Sequence, residues 1–148
     1  MIFANTDSSQ YLIPMPIALD DSKNFSISVT ATHTDGIDNH AFGIYFGSSD
    51  LSNYYVLYIS ANGYYKVGKI AAGQNIDIVK WTVTPAVKTG NYVDNILQFS
   101  KQGNNWNVII NGQNLGSVPA SAFMGNKVGF TLDNVQRVEF DNLKVTQE

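Results

Sequence analysis

The chain contains only two glutamates, Glu139 and Glu148, and this limits the acid–base chemistry open to it. Breaking a glycosidic bond needs two carboxyl groups flanking it, one of them able to keep a proton for the leaving oxygen. Asp133, Glu139 and Asp141 are close in sequence, but Glu139 and Asp141 stand at i and i+2 on one strand face. An aspartate at a strand irregularity is better explained by bonds it accepts from backbone amides. The loop HTDGIDNH brings together His33, Asp35, Asp38 and His40, which are ligand types for a metal. Its order lacks the alternating oxygen ligands and closing glutamate of a calcium loop, and turn-forming Asp and Asn account for it without an ion. Serine and histidine are present, but no G-x-S-x-G elbow exposes a nucleophile, since Gly116-Ser117 lies in the short strand LGSVP. Gly68-Lys69-Ile70 lacks the glycine spacing of a phosphate loop. Cysteine is absent, which removes thiol catalysis, Cys-bound zinc and disulfides. The expectation is a protein that is not an enzyme and carries no cofactor.

Aromatic surface remains. The C–H face of a sugar ring packs on a flat aromatic side chain while its hydroxyls need polar partners. Trp81 ends an apolar strand and Trp106 alternates with Val108 and Ile110, so both are expected in the core. The tyrosines of NYYVLYISANGYYKVGKI (53–70) are different, because their placement depends on hairpin register. A two-residue turn at Asn62-Gly63 pairs Ala61 with Tyr64 and sets Lys66 beside Tyr55, Leu57 and Ile59. A three-residue loop with Gly63 as the left-handed bulge residue pairs Ser60 with Tyr64 instead. One residue of slip exchanges the faces of a whole arm. The second register keeps Lys66 away from the apolar set and is preferred. It gives one face to Tyr55, Leu57, Ile59, Tyr65 and Val67. The other face receives Tyr54, Val56, Tyr58, Tyr64 and Lys66, joined by Tyr45 from the preceding strand.

The elements that hold these residues read as strands throughout. NFSISVTATHT (24–34) alternates Phe25, Ile27, Val29 and Ala31 with serine and threonine, the pattern of a half-buried antiparallel strand. In HAFGIYFG (40–47), Phe42, Ile44 and Phe46 share a face. NILQFSK (95–101) and WNVIING (106–112) form a hairpin around QGNN, and KVGFTL (127–132) aligns Val128, Phe130 and Leu132. VQRVEFDNLKV (135–145) changes its spacing at Asp141-Asn142, which predicts a bulge. YLIPMPIAL (11–19) belongs at a sheet edge because proline cannot donate to a ladder. Residues 1–10 read as a polar lead-in arm, and ASAFMG (120–125) as a single helical turn. No helical period is sustained, so the class is all-β, a sandwich or barrel.

A chain of 148 residues fits one domain, 1–148, with enough length to bury a core. Its net charge is −3 and only 14% of its residues are charged, so a basic face for nucleic acid is not expected. No apolar run is long enough to span a membrane as a helix.

The succession NFSISV, FGIYFG, NYYVLYISANGYYKV, Trp81, NILQF, VIING, KVGF and VEFDNLKV resembles the concanavalin A-like lectin/glucanase superfamily, in particular bacterial laminin-G-like jelly-roll domains. The resemblance runs from about residue 24 to the end, and the proline-containing segment supplies the first strand. It implies a two-sheet antiparallel jelly-roll sandwich with one concave face. Glucanases of the superfamily place Glu-x-Asp-x-x-Glu along one strand, and no strand here does, which argues against hydrolysis. Laminin-G-like domains often hold calcium at a rim, but no ligand set carries over to this chain. The fold serves lectins, glycosidases and adhesive modules alike. The leading expectation is a non-catalytic carbohydrate-binding or recognition module using the concave sheet, with Tyr45, Tyr54, Tyr58, Tyr64 and Lys66 as ligand-binding residues. The alternative is a structural or adhesive module that binds protein, and a glycoside hydrolase comes third. The partner is thus a glycan or a protein surface, with the oligomeric state left open. An extracellular or cell-surface location suits the composition, although MIFANTDSSQ has no signal-peptide pattern.

Overall fold

The computed structural model describes residues 1–6 and 9–148. Its strands are β1 (Ile2–Asn5), β2 (Gln10–Ala18), β3 (Phe25–Gly36), β4 (Phe42–Asp50), β5 (Asn53–Ser60) and β6 (Tyr64–Ala71). They continue with β7 (Gln74–Val83), β8 (Asp94–Gln102), β9 (Asn105–Ile110), β10 (Gln113–Pro119), β11 (Lys127–Asp133) and β12 (Gln136–Gln147). One six-stranded antiparallel sheet has the order β1-β12-β3-β8-β9-β10, and the second has the order β2-β11-β4-β5-β6-β7. The sheets face each other across one core, as an all-β jelly-roll sandwich.

Alternation along the strands builds that core. Phe25, Ile27, Val29 and Ala31 of β3 are buried while the intervening serines and threonines stay partly exposed. Phe42, Ile44 and Phe46 of β4, Tyr55, Leu57 and Ile59 of β5, and Leu97 and Phe99 of β8 belong to the same cluster. Trp106 sits among Phe46, Tyr55 and Phe99 at ring separations of 5.5, 4.9 and 5.3 Å. Phe130 of one sheet stacks on Phe140 of the other at 4.4 Å.

The β5–β6 hairpin takes the three-residue register. Ser60 pairs with Tyr64, Gly63 has φ 98°, and its amide donates to Ser60 O at 3.1 Å. The proline-bearing β2 lies at a sheet edge, and β12 shifts register between Asp141 and Lys144, with Asn142 at φ 55°. Asp141 accepts from the Asn142 amide at 2.9 Å, so it serves the bulge.

Two expectations need correction. The lead-in contains a strand, because Ile2–Asn5 pairs with β12; Asp7 and Ser8 of the expected arm lie outside the described residues. Residues 120–125 form no helical turn. They run as an irregular segment whose Met124 and Gly125 amides both donate to Gly47 O, at 3.1 and 3.0 Å. That anchorage lets Phe123 pack against Phe25, Phe46 and Tyr55, and a helical turn would break it.

Gly129 on β11 has no space for a side chain. A Cβ there would lie 2.1 Å from Ile13 O and 2.7 Å from the Tyr45 ring and hydroxyl. Gly129→Ala is therefore expected to destabilise by about 1–3 kcal/mol through overpacking. Urea unfolding measures it, and a midpoint equal to that of the parent would contradict this packing.

Candidate functional site

The face of the second sheet turned away from the core carries its own aromatic cluster. Tyr45, Tyr54, Val56 and Tyr58 pack there with Ala41, Leu12 and Ile70. The residues follow from parity. Tyr55 and Leu57 point into the sandwich, so Tyr54, Val56 and Tyr58 point out, and Lys66 lies opposite Tyr58 on β6.

A cavity of about 300 Å³ opens on this outer face. Tyr54, Tyr58 and Lys66 line it together, as the chosen register requires. Trp81, Asp133, Gln10 and Asn75 complete the lining, with Leu51, Ile70 and Gly73 at one end. The Lys66 ammonium is nearly buried and pairs with Asp77 at 2.8 Å. The Asp77 half of the pair is the open one, with its side chain 42% exposed. Gln10 Nε2 donates to the Tyr58 hydroxyl at 2.6 Å and lies 3.3 Å from Thr131 Oγ1. The Trp81 indole lies beside Tyr58, with centroids 6.1 Å apart and planes 18° from parallel.

The tyrosine platform expected from the sequence is not available as such. Tyr54 and Tyr58 are buried and form the floor, so their rings offer no open face for stacking. Tyr45 does not reach the cavity. Its ring lies over Gly129 and meets Tyr54 edge-on at 5.8 Å, which makes it a support beneath the site. Tyr64 lies next door, in a shallower depression of about 210 Å³ that also touches Trp81. Within the cavity the exposed ring is Trp81, which is 41% exposed and not in the core. Two register shifts between β6 and β7 explain the misplacement, because Ile78 and Val79 both pack towards the core and the alternation resets before residue 81.

Asp133 was seen in the sequence only as a neighbour of Glu139 and Asp141. On β11, however, Val128, Phe130 and Leu132 face inwards, so Gly129, Thr131 and Asp133 face outwards. That alternation was a readable signal. Gln10 had none, since it enters from the first strand of the sheet edge. Burial pushes the Asp133 carboxyl up to about 6, against the opposing pull of the Tyr58 hydroxyl, Lys66 and His40. Its Oδ1 is buried and lacks a hydrogen-bond partner among the described residues, consistent with a carboxyl that resists ionisation. Burial likewise raises the Tyr45, Tyr54 and Tyr58 hydroxyls above their ordinary range, so all three remain protonated donors at neutral pH.

The Asp133 shift has a signed consequence. The folded chain holds this proton more tightly than the unfolded chain, whose ordinary value is 3.8. Its contribution to stability is therefore fully present below about pH 4 and is lost as pH rises towards 6. Asp133→Asn is expected to remove that decline. Urea unfolding between about pH 4 and pH 7 tests it, and an unaltered pH slope in the variant would rule it out.

The two histidines of the loop HTDGIDNH have separate partners. His33 is buried, stacks on Phe42 at 5.7 Å, and has Nδ1 2.8 Å from Asn91 Oδ1. His40 Nδ1 lies 3.1 Å from Val135 O. Among the described residues no group of three or more His, Cys, Asp or Glu side chains converges. The outer face of the other sheet holds a second trough of about 280 Å³, lined by Ser26, Gln98, Ser100, Asn107 and Asn114. It offers amides and hydroxyls with the charged Lys101 and Glu148, and its ring, Phe25, is buried.

No family model matches the sequence, and no curated protein matches it either. Solved structures do share its fold. The carbohydrate-binding module CBM66 from Bacillus subtilis superposes with a TM-score of 0.79 at 17% identity, over 95% of this chain and 83% of that one. Sheep galectin-11, in complex with glycerol, gives 0.66 at 11% identity, over 93% and 98%. The GH43 protein BlXynB from Bacillus licheniformis gives 0.70 at 12% identity, and there 99% of this chain matches 32% of a larger chain. The chain therefore has the two-sheet, concanavalin A-like jelly-roll fold.

Proposed function

We propose that this protein is a non-catalytic carbohydrate-binding module that holds its ligand on the outer face of the β2-β11-β4-β5-β6-β7 sheet. One observation carries the reading: a half-exposed indole, Trp81, walls a cavity whose floor holds a nearly buried, paired ammonium and buried phenols. A sugar ring needs one flat apolar surface and several oriented polar groups, and this cavity supplies both. The fold shared with a carbohydrate-binding module and a galectin supports the same reading. Trp81 is the stacking surface, while Lys66, Asp77, Asn75, Gln10 and Asp133 supply polar contacts. The finer likeness to bacterial laminin-G-like domains rests on the strand succession alone. An extracellular or cell-surface role as part of a larger protein, without a cofactor, belongs to this proposal.

A hydrolase would find one suitable group, since a carboxyl titrating near 6 can act as a general acid. Its partner would have to be a free carboxylate, and Asp77 is instead engaged by Lys66 at 2.8 Å. We therefore expect binding without turnover. A glycan array followed by calorimetry tests the proposal. Saturable binding to at least one of the glucans, galactans, mannans or xylans is expected, with the glycan recovered uncleaved. No response across all four classes would sink it.

A further inference from the structure

The cavity beside Tyr58 and the depression beside Tyr64 share one residue, Trp81. They also share a strand face. Tyr64 and Lys66 are two apart on β6 and point to the same side, so their Cα atoms are separated by about 7 Å along the strand. The two hollows therefore lie consecutively along the β5–β6 ladder, with the indole between them.

The second hollow differs chemically from the first. Asn39, Ser60, Asn62 and Tyr64 line it with Trp81, and none of them is charged. Tyr64 is 37% exposed, so its ring, unlike those of Tyr54 and Tyr58, is accessible. The Ser60 hydroxyl donates to Asn62 Oδ1 at 2.5 Å, which orients that amide and leaves its N–H₂ end for a ligand. The Asn62 backbone amide donates to Asp38 O at 3.0 Å, so the hairpin tip is tied to the loop that carries Asn39. An accessible phenol ring, the Trp81 indole and two amides form a small neutral site on a braced turn.

We infer that the hollow at Tyr64 is a second sugar subsite, and that the ligand is an oligosaccharide whose consecutive rings pass from one side of Trp81 to the other. The unit held at Tyr64 is an uncharged sugar, since nothing there would compensate a carboxylate or an ammonium. The unit at Lys66 and Asp133 meets the charged groups. This inference rests on the carbohydrate-binding reading and extends it to the length and character of the ligand.

Calorimetric titration of the full chain with gluco-, galacto-, manno- and xylo-oligosaccharides, from mono- to tetrasaccharide, tests it. In the series that binds, the disaccharide is expected to bind about tenfold more tightly than the monosaccharide, the gain from one more packed ring. Tyr64→Ala is expected to reduce that ratio to less than about threefold, and Tyr64→Phe, which keeps the ring, to preserve it. Unfolding midpoints confirm that both variants are folded. A ratio unaltered by Tyr64→Ala would overturn the second subsite, as would a wild-type ladder that binds but is flat. Both results leave the carbohydrate-binding reading standing. Silence from every ladder overturns that reading and the subsite with it.

Discussion

Replacing Trp81 with alanine is expected to lower glycan affinity by more than about tenfold while costing no more than about 1.5 kcal/mol of stability. Calorimetry and urea unfolding on the same sample separate the two quantities. The asymmetry follows from where the ring lies. It is 41% exposed on the edge strand β7, and among the described residues the ring it stacks on is Tyr58. Truncation forfeits that ring pair, worth about 0.5–1.5 kcal/mol, but opens no hole in the core. The same truncation removes the flat apolar wall from the cavity and opens the Tyr58 ring, on which the indole stacks, to water. A sugar then loses its stacking surface. A variant with full affinity would mean that the ligand sits elsewhere.

Trp106→Ala is expected to do the reverse, costing about 3–5 kcal/mol of stability. Trp106 is fully buried and meets Phe46, Tyr55 and Phe99 at the centre of the sandwich. Its removal leaves a void that three strands of two sheets must collapse around, and rigid sheets relax poorly. Against the roughly 5–15 kcal/mol typical of a domain, this is a large fraction. Denaturant unfolding would show a lower midpoint with an unaltered slope. Binding by the fraction that remains folded should persist, since Trp106 contributes no atom to the outer face. A loss below about 1 kcal/mol would contradict the packing described for the core.

These two tryptophans also mark what the sequence could tell. Both end or begin an apolar run, so both read as core, and for Trp106 strict alternation with Val108 and Ile110 made that correct. The strand carrying Trp81 breaks alternation twice against β6, and such bulges leave no mark on the hydrophobic pattern. The β5–β6 register was legible because Lys66 resists an apolar face and Gly63 accepts positive φ. That register correctly put Tyr54, Tyr58 and Lys66 on one surface. It could not tell that neighbouring side chains would bury both tyrosines, or that Gly129 would leave room for the Tyr45 ring beside Tyr54. Asp133 was within reach, since it continues the outward phase of Thr131. Gln10 and Asp77 join the site through tertiary approach alone, from the edge strands at opposite sides of one sheet.

Tryptophan emission during a glycan titration tests the central claim most directly. Trp106 is sealed from solvent and Trp81 is not, so a ligand on the outer face must alter the emission of Trp81 alone. The predicted result is a saturable spectral shift whose midpoint matches the calorimetric one and which disappears in Trp81→Phe. Saturable heat from a glycan with wild-type emission unchanged throughout would place the ligand away from Trp81 and contradict this account.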